Sequence, residues 1–204
     1  HSLPEEITVV GCWAHLHRKF DEAVKSLPKG KANGSSAAQG LAYCNLLFAI
    51  EQELSEKKVT EKERYHERLK QAKPVLDAMF AWANSKTAAP KSALGKAFTY
   101  LNEQWPYLTN YLKDGRLELS NNRAERSIKP FVIDRKNFLF ANTPKGAKGS
   151  AIMFSLIQTA IENGLDPYQY LTWLLKNTNK ADLKNPDMPE KLLPWNAPAG
   201  CRTK

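Results

Sequence analysis

The chain has 204 residues, of which 42% are hydrophobic and 25% are charged, a balance typical of soluble globular proteins. Its net charge of +9 and isoelectric point near 9.4 favour a polyanionic partner such as DNA. No apolar run reaches the roughly 18 residues of a membrane helix, and no secretory leader is evident in the sequence. The three cysteines are widely spaced, which argues against a disulfide framework and for a reducing cytoplasm.

The first thirty residues predict a strand followed by a helix. Residues 7–13 (ITVVGCW) form a short apolar, β-branched run that indicates a buried strand. Helical periodicity follows and ends at the Pro-Lys-Gly sequence of residues 28–30. Cys12, His15 and His17 have side chains that bind zinc, but their C-x2-H-x-H spacing has no fourth ligand nearby. Packing between the strand and the helix is therefore the favoured interpretation.

Residues 31–115 predict a helical insertion. A small polar loop opens this region, and Thr60 with Glu63 has the form of a capping box. Pro74 is expected to kink or split its helix, and Pro106 to interrupt the helix that contains it. Leucine and aromatic residues recur at helical intervals, which favours core packing over a base-stacking stripe. The predicted helical stretches are 37–57, 60–86 and 92–113, and a turn at 113–116 follows.

The polar stretch from Leu119 to Phe140 carries the strongest chemical signal. Asn121 and Asn122 are good helix N-cap residues, and Asn122 with Glu125 has the form of a capping box. In the simplest interpretation, Glu125 reaches back to the Asn122 amide and pairs with Lys129 one turn later. Pro130 is expected to kink or end this helix.

A second interpretation of the same stretch is functional. A capping box does not require amides at both preceding positions, nor so many basic side chains nearby. Such a cluster suits a phosphate group. Its basic members are Arg123, Arg126, Lys129, Arg135 and Lys136.

The segment 142–150 predicts a flexible basic loop. It lacks the GxxxxGK[ST] order of a nucleotide-binding P-loop, which argues against nucleotide hydrolysis. Its backbone amides together with Lys145 and Lys148 are still suited to non-specific contact with a DNA phosphate.

The end of the chain predicts two helices and a tail. Residues 151–162 form an amphipathic pattern that ends at Asn163-Gly164, and Asp166 is predicted to cap the next helix rather than to act as a catalytic acid. The proline-rich residues 181–204 predict an extended or disordered tail.

Three blocks of the sequence resemble the insertion-sequence-66 family of DDE transposases. The blocks occur in the family's order and span most of the chain. They are GCWAHLHRKF at 11–20, NNRAERSIKP at 121–130 followed by RKNFLF at 135–140, and SLIQTA at 155–160 leading into NGLDP at 163–167 and Tyr170-Leu171.

The resemblance implies a polynucleotidyl transferase with an RNase H-like core, in which three carboxylates hold two Mg²⁺ or Mn²⁺ ions. It implies that Glu125 is the third carboxylate and therefore both a catalytic residue and a metal ligand. The family's two aspartates lie upstream of the GCWAH segment, and the residues before Gly11 include no Asp. The chain is therefore expected to be the C-terminal portion of a transposase and to be inactive alone.

The resemblance also suggests roles for the surrounding side chains. Asn121 and Asn122 would orient the Glu125 carboxylate. The residues expected beside the scissile phosphate are Arg126, Lys129, Arg135 and Lys136. The residues expected to touch the DNA backbone near the active site are His15, Arg18 and Lys19, and Lys145 and Lys148 are expected to bind a DNA phosphate non-specifically.

The expected fold is mainly α, a helical insertion plus the C-terminal part of an RNase H-like α/β core with one or two short strands. Residues 1–30 would hold the last core strand and its helix, 31–115 the insertion, 116–180 the catalytic-glutamate helix and C-terminal helices, and 181–204 the tail. The expected partner is DNA, at the transposon ends and the target, in the bacterial cytoplasm and nucleoid and without a membrane; a homo-oligomer is left open. The alternative is a non-catalytic basic helical module that binds DNA or oligomerises, a transposase remnant.

Overall fold

A computed structural model describes residues 7–134, 143–178 and 188–203. These residues are mainly helical, which confirms the predicted class, and their β structure is one isolated bridge between Leu165 and Arg202. The chain divides into two compact units, His1–Arg123 and Ala124–Lys204. The helices are α1 Trp13–Lys25, α2 Ser36–Glu56, α3 Glu61–Glu67, α4 Lys73–Asn84, α5 Ala93–Leu108, α6 Asn122–Asp134, α7 Pro144–Glu162, α8 Pro167–Thr178 and α9 Met188–Lys191.

Helices α2, α3 and α5 of the first unit begin at side chains that accept hydrogen bonds from free amides of the first turn. Ser35 Oγ accepts a hydrogen bond from the Ala38 amide at 3.1 Å. At the start of α3, the Glu63 amide donates to Thr60 Oγ1 at 3.3 Å and the Thr60 amide donates to Glu63 Oε2 at 2.8 Å, so the predicted capping box is confirmed.

The three prolines inside predicted helices behave differently. A wide π-helical turn, Arg68–Ala72, separates α3 from α4 directly before Pro74, which confirms the predicted split. The wide turn gives the proline ring the room that a regular helix denies it. In contrast, α5 continues past Pro106 and α6 continues past Pro130. The expected interruption at Pro106 is therefore wrong, and Pro130 does not end its helix.

The first unit has an aromatic core under α1. The Phe20 ring packs 6.2 Å from the Trp82 ring and 6.0 Å from the Phe98 ring, and all three side chains are buried. A Cβ atom at Gly40 of α2 would lie 2.3 Å from the Phe20 ring, so glycine is what lets α1 and α2 approach. The periodic aromatic residues therefore form a core, as predicted.

The predicted strand at residues 7–13 is wrong. Residues 7–12 form no strand, and Trp13 is already the first residue of α1. A strand needs a neighbour to pair with, and the described residues offer none. The polar groups of the segment bond to the end of α5 instead, with the Gly11 amide donating to the Tyr107 carbonyl at 2.9 Å.

In the first unit, the start of α1 lies beside the residues that follow α5. The Trp13 amide donates to the Leu119 carbonyl at 3.1 Å, and the Trp13 indole donates to the Leu108 carbonyl at 2.9 Å. The chain therefore enters α1 and leaves towards α6 at the same end of the first unit, as an insertion between two parts of another fold would.

The second unit contains the antiparallel helices α6 and α7. Ser127 Oγ donates to Glu162 Oε1 at 3.1 Å, and the Phe131 and Phe154 rings meet edge to face at 5.2 Å. Residues 144–150, predicted to be a loop, form the first turns of α7. Thr143 explains the difference, because its hydroxyl caps the Gly146 amide at 3.1 Å and Pro144 occupies the first helical position.

The described part of the tail, 188–203, packs on α8 rather than extending away. The Tyr170 hydroxyl donates to the Leu192 carbonyl at 2.9 Å, and the Asp166 amide donates to the Cys201 carbonyl at 2.8 Å. The predicted cap is confirmed, since Asp166 Oδ1 accepts from the Gln169 amide at 2.9 Å. The apolar residues 138–140, whose sequence would suit a short strand or a core plug, lie outside the described residues.

Candidate functional site

Helix α6 carries the candidate catalytic carboxylate. It begins at Asn122, with Asn121 directly before it, and Glu125 lies in its first turn. A carboxylate in the first turn is stabilised by the partial positive charge of a helix N-terminus. Glu125 is exposed to solvent.

The basic side chains of α6 share this exposure. Arg126 is exposed, and Lys129, one turn after Glu125, is exposed as well. The spacing of a single turn keeps a positive charge beside the carboxylate. Arg135 and Lys136, predicted to bind phosphate, lie outside the described residues.

An exposed apolar flank runs along the same helix. Ile128, Val132 and Ile133 expose 59%, 47% and 52% of their surface. Large aliphatic residues at this spacing on an amphipathic helix normally face a core. Helix α6 therefore presents a charged face and an apolar flank that the described residues leave uncovered.

The described residues do not by themselves form a metal site. No three of their His, Cys, Asp or Glu side chains lie close enough to hold an ion. Hard divalent cations need several oxygen ligands, and Glu125 supplies at most two. Within the described residues, no zinc site is formed by Cys12, His15 and His17. The His17 Nε2 atom instead hydrogen-bonds Asn45 Oδ1 at 2.8 Å.

The candidate DNA contacts fall into two groups. His15, Arg18 and Lys19 lie on α1 in the first unit, where Arg18 is exposed and Lys19 Nζ sits 5.0 Å from the centroid of the Tyr100 ring. This cation–π contact holds the ammonium at the surface.

Lys145 and Lys148 form the second group, exposed in the first turns of α7. Positive charges at the start of a helix interact unfavourably with the positive end of the helix dipole, and a bound anion would offset this interaction. The antiparallel packing of α6 and α7 places Ser127 beside Glu162. Lys148 is about 20 Å from Glu162 along α7, so the structure does not bring these lysines to the Glu125 end of α6.

Arg68 was not predicted from the sequence. It is a buried arginine that holds the segment between α5 and α6 in place. Only 1% of the residue is exposed. Its Nε and Nη2 atoms donate to the two carboxylate oxygens of Glu51 at 2.7 and 2.8 Å. Its remaining hydrogen bonds go to main-chain carbonyls at 2.8 to 3.0 Å, those of Tyr111, Asp114 and Leu117.

These hydrogen bonds attach the segment between α5 and α6 to the π-helical turn Arg68–Ala72. The Arg68 guanidinium also lies 5.1 Å from the centre of the Tyr111 ring. Burial raises the pKa of the Tyr111 hydroxyl, with a further contribution from Glu51. One feature of the sequence is consistent with the burial of Arg68. It precedes the buried apolar residues Ala72 and Leu76 by one and two helical turns, which is the spacing of one helix face.

An open groove of about 590 Å³ lies beside this ion pair. Its arginines are engaged with nearby carboxylates, Arg68 with Glu51 and Arg116 with Asp114 at 2.7 Å. It ends at Ser120, next to the asparagines that open α6. The groove is therefore part of the structure of the segment between α5 and α6. The positive charges of its arginines are largely balanced by the carboxylates with which they pair.

Among the described residues, no helix combines the length and the apolar composition that crossing a bilayer requires.

Comparison with known proteins supplies the family. The profile described as "Transposase IS66 family" matches residues 1–149, and the profile described as "IS66 C-terminal element" matches residues 155–195. The first match contains both the α1 segment and the Glu125 helix. No solved structure matches the chain significantly.

Similar proteins occur in Sinorhizobium fredii (strain NBRC 101917 / NGR234). The chain is 31% identical over 198 residues to the uncharacterized protein y4hP, covering 93% of this chain and 35% of the relative. It is 31% identical to the uncharacterized protein y4qI and 30% identical to the uncharacterized protein y4jD, with 94% and 91% of this chain covered and 34% and 35% of those relatives. The chain thus spans about a third of the length of these proteins.

Proposed function

Because the chain belongs to the IS66 transposase family, we propose that it is the C-terminal part of a DDE transposase that cuts and joins DNA. In this proposal Glu125 is one of three carboxylates that hold two Mg²⁺ or Mn²⁺ ions. The observation that supports it is the exposed carboxylate in the first turn of α6, inside the matched region, between paired asparagines and basic side chains.

The uncovered flank of α6 supports the same proposal. The relatives are about three times longer than this chain, so a complete protein has further chain with which to cover Ile128, Val132 and Ile133. Burying the exposed half of each side chain would contribute about 1 kcal/mol. We propose that the covering body is the rest of an RNase H-like core.

The side chains of this chain would bind and orient DNA. Asn121 and Asn122 would hold the Glu125 carboxylate, and Arg126 and Lys129, with Arg135 and Lys136, would offset phosphate charge. Further contacts with the DNA backbone would come from His15, Arg18, Lys19, Lys145 and Lys148.

The metal ions of the complete enzyme would activate a water, and then a 3′-hydroxyl, for attack on a phosphodiester. Because the described residues form no metal site, no catalytic step is assigned to this chain alone. The reaction would take place on transposon ends and target DNA in the bacterial cytoplasm, where the bound protein would be associated with the nucleoid.

The first experiment is to sequence the DNA upstream of the His1 codon. Two aspartates on predicted strands in an open frame would support the proposal. A stop codon or unrelated sequence would contradict it.

The second experiment uses the protein from that longer frame. Glu125→Gln is expected to abolish strand transfer of a labelled transposon end while leaving DNA binding intact. Glu118→Gln is the matched control, because Glu118 is an exposed acid that pairs with Arg123 just before the motif. Strand transfer that survives Glu125→Gln would overturn the catalytic role.

The second candidate function is a non-catalytic module that binds DNA. It is favoured by the net charge of +9, together with the finding that no three His, Cys, Asp or Glu side chains of the described residues lie close enough to hold a metal ion. Its signature is affinity for duplex DNA that falls steeply with salt and survives Glu125→Ala. Mg²⁺-dependent nicking by the isolated chain, lost in Glu125→Ala, would contradict it.

A further inference from the structure

Four helices of the first unit have one end each close to the same layer of side chains. In this layer the Phe20 ring of α1 packs against the Trp82 ring of α4 and the Phe98 ring of α5, and a Cβ atom at Gly40 of α2 would touch it. Beyond the layer, α1 continues for five residues and α4 for two, while α2 begins four residues and α5 five residues before it. With a rise of about 1.5 Å per residue, these four helix ends lie within about 8 Å of the layer.

The four helix ends lie on the same side of this layer. Trp13 of α1 packs 6.3 Å from Trp105 of α5, and His17 of α1 hydrogen-bonds Asn45 of α2. Helix α1 therefore runs antiparallel to both α2 and α5. The loop 85–92 joins the end of α4 directly to the start of α5. The end of α1, the start of α2, the end of α4 and the start of α5 together form one end of the unit.

This end of the unit carries five exposed lysines, and we name it the lysine end. They lie in the loops 26–35 and 85–92 and at the start of α5, and are Lys29, Lys31, Lys86, Lys91 and Lys96. The sequence contains no Asp or Glu between Lys25 and Glu51, and none between Asp77 and Glu103. The two stretches of chain that build the lysine end therefore supply no acidic side chain to neutralise it.

Some other lysines of the first unit have carboxylate partners. Lys73 Nζ, for example, lies 2.6 Å from Asp77. Among the described residues, the five lysines of the lysine end form no such ion pair. The acids of the last turns of α1 are Asp21, which pairs with Lys25 at 2.6 Å, and the exposed Glu22. The lysine end therefore keeps most of its positive charge.

The lysine end also holds the excess positive charge of the first unit. The unit His1–Arg123 contains 18 Lys and Arg and 14 Asp and Glu, a net charge of +4 that would be −1 without the five lysines. Lys91 and Lys96 flank the Ser92 cap of α5, where positive charge interacts unfavourably with the helix dipole. A bound anion would offset this interaction and the repulsion among the lysines.

We propose that the lysine end binds the phosphate backbone of duplex DNA. Four helices packed about 10 Å apart give an end about 20 Å across, which is wide enough to reach phosphates on both sides of a major groove about 12 Å wide. In the loops 26–35 and 85–92 no large hydrophobic side chain is exposed, whereas binding at a membrane surface uses such side chains. Lysine contacts to phosphate carry no sequence information, so this binding is independent of DNA sequence.

The inference rests on the proposed DNA partner but not on the catalytic role of Glu125. Helix α1 has 13 residues and is about 20 Å long, and its start lies beside Leu119, at the end of the unit from which the chain leads to α6. The lysine end would therefore hold DNA at a distance from the start of α6. Its lysines are expected to set the affinity for DNA and not the rate of a chemical step.

The first test measures binding of the chain to a labelled duplex of about 30 base pairs by fluorescence anisotropy, at about 50 to 200 mM salt. The test variant replaces three lysines of the lysine end by glutamine, namely Lys86, Lys91 and Lys96. Its affinity is expected to fall about 10-fold to 100-fold near 0.1 M salt, and the slope of log K against log salt to become shallower by about 2 to 3. The matched control makes the same change in charge at lysines that have carboxylate partners, Lys57, Lys70 and Lys73. It is expected to lose less than about 3-fold.

The outcomes separate this inference from the proposed function. An equal loss in both triple variants would show that net charge alone matters, which would overturn the lysine end and leave DNA as a partner. A chain that binds no duplex even at about 50 mM salt would overturn the DNA partner as well. Retention of such a chain on phosphatidylserine vesicles would assign the lysines to a membrane surface instead.

The second test locates the DNA by photocrosslinking. Thr87→Cys, at an exposed position of the loop 85–92, is labelled with an aryl azide, and the native cysteines are buried and do not react. Gln52→Cys is the matched control, exposed on α2 about 24 Å from the start of that helix. DNA is expected to crosslink through Thr87→Cys alone. Equal crosslinking through Gln52→Cys would mean that DNA binds without preference for the lysine end and would contradict the proposal.

Discussion

Replacing Arg68 by methionine removes a buried charge and keeps the apolar stem of the side chain. The change leaves the Glu51 carboxylate, which is 13% exposed, without its bidentate partner. Breaking a buried ion pair from one side costs about 3–5 kcal/mol, because the remaining charge is desolvated. Arg64 Nη1 still lies 3.3 Å from Glu51, so a loss near the lower end of that range is expected. The total stability of a domain is about 5–15 kcal/mol, so a large fraction of it would be lost.

Urea unfolding followed by tryptophan fluorescence measures this loss, since Trp13, Trp82 and Trp105 all lie in the first unit. The melting temperature of a domain of about this size should fall by roughly 10–20 °C. Limited trypsin digestion is a second readout, since the connection fastened by Arg68 contains Lys113 and Arg116. Cleavage there is expected to accelerate in Arg68→Met.

Arg64→Met is the matched control. Arg64 Nη1 lies 3.3 Å from Glu51, its side chain is more exposed, and Glu51 keeps its bidentate bonds to Arg68 without it. The expected loss is about 1 kcal/mol or less. Removing both charges, in Arg68→Met with Glu51→Leu, should be less destabilising than Arg68→Met alone. Equal losses in Arg68→Met and Arg64→Met would refute the reasoning.

Four smaller predictions follow from local geometry. Gly11→Ala should cost about 1–3 kcal/mol in urea unfolding, because the added methyl would lie 2.8 Å from a main-chain nitrogen of α5 that cannot move aside; an unchanged midpoint would contradict this. Gly149→Ala should raise stability by about 0.5–1 kcal/mol, because its methyl meets nothing within 4 Å on helix α7; a lower thermal midpoint would argue against helix there. Thr60→Ala should cost about 1 kcal/mol of stability and Thr60→Ser almost none, since serine keeps the cap, and a thermal melt of both variants distinguishes them. Hydrogen bonds and charge from Arg116 lower the pKa of Asp114 from 3.8 to about 2. The stabilisation that the ionised Asp114 contributes is therefore complete above the unfolded pKa and lost as the pH falls towards 2. The difference in melting temperature between Asp114→Asn and the unaltered chain should vanish near that pH, and a difference independent of pH would exclude the ion pair as its source.

The sequence by itself determined most of the helices and the place of Glu125. Apolar residues that recur every three to four positions identify a helix face without knowledge of what covers it. A capping box such as Thr60 with Glu63 involves residues within one turn, so its hydrogen bonds follow from the local sequence. The same locality places Glu125 in the first turn of α6, after its two asparagines.

The family resemblance was also available from the sequence, because motif blocks are strings of neighbours. The match of the transposase profile to residues 1–149 confirms it. The roles of Glu125 and the basic side chains remain predictions, since they depend on ligands and on chain that the described residues do not contain.

Only the tertiary structure decided the features that depend on residues far apart in sequence. The apolar run at residues 7–13 has the composition of a strand, yet a strand forms only where another pairs with it, and Gly11 bonds to the end of α5 instead. Arg68 is an ordinary surface residue by composition. It is buried because Glu51 and three distant carbonyls converge on its guanidinium. Its spacing from Ala72 and Leu76 does not identify these partners, since they come from different parts of the chain.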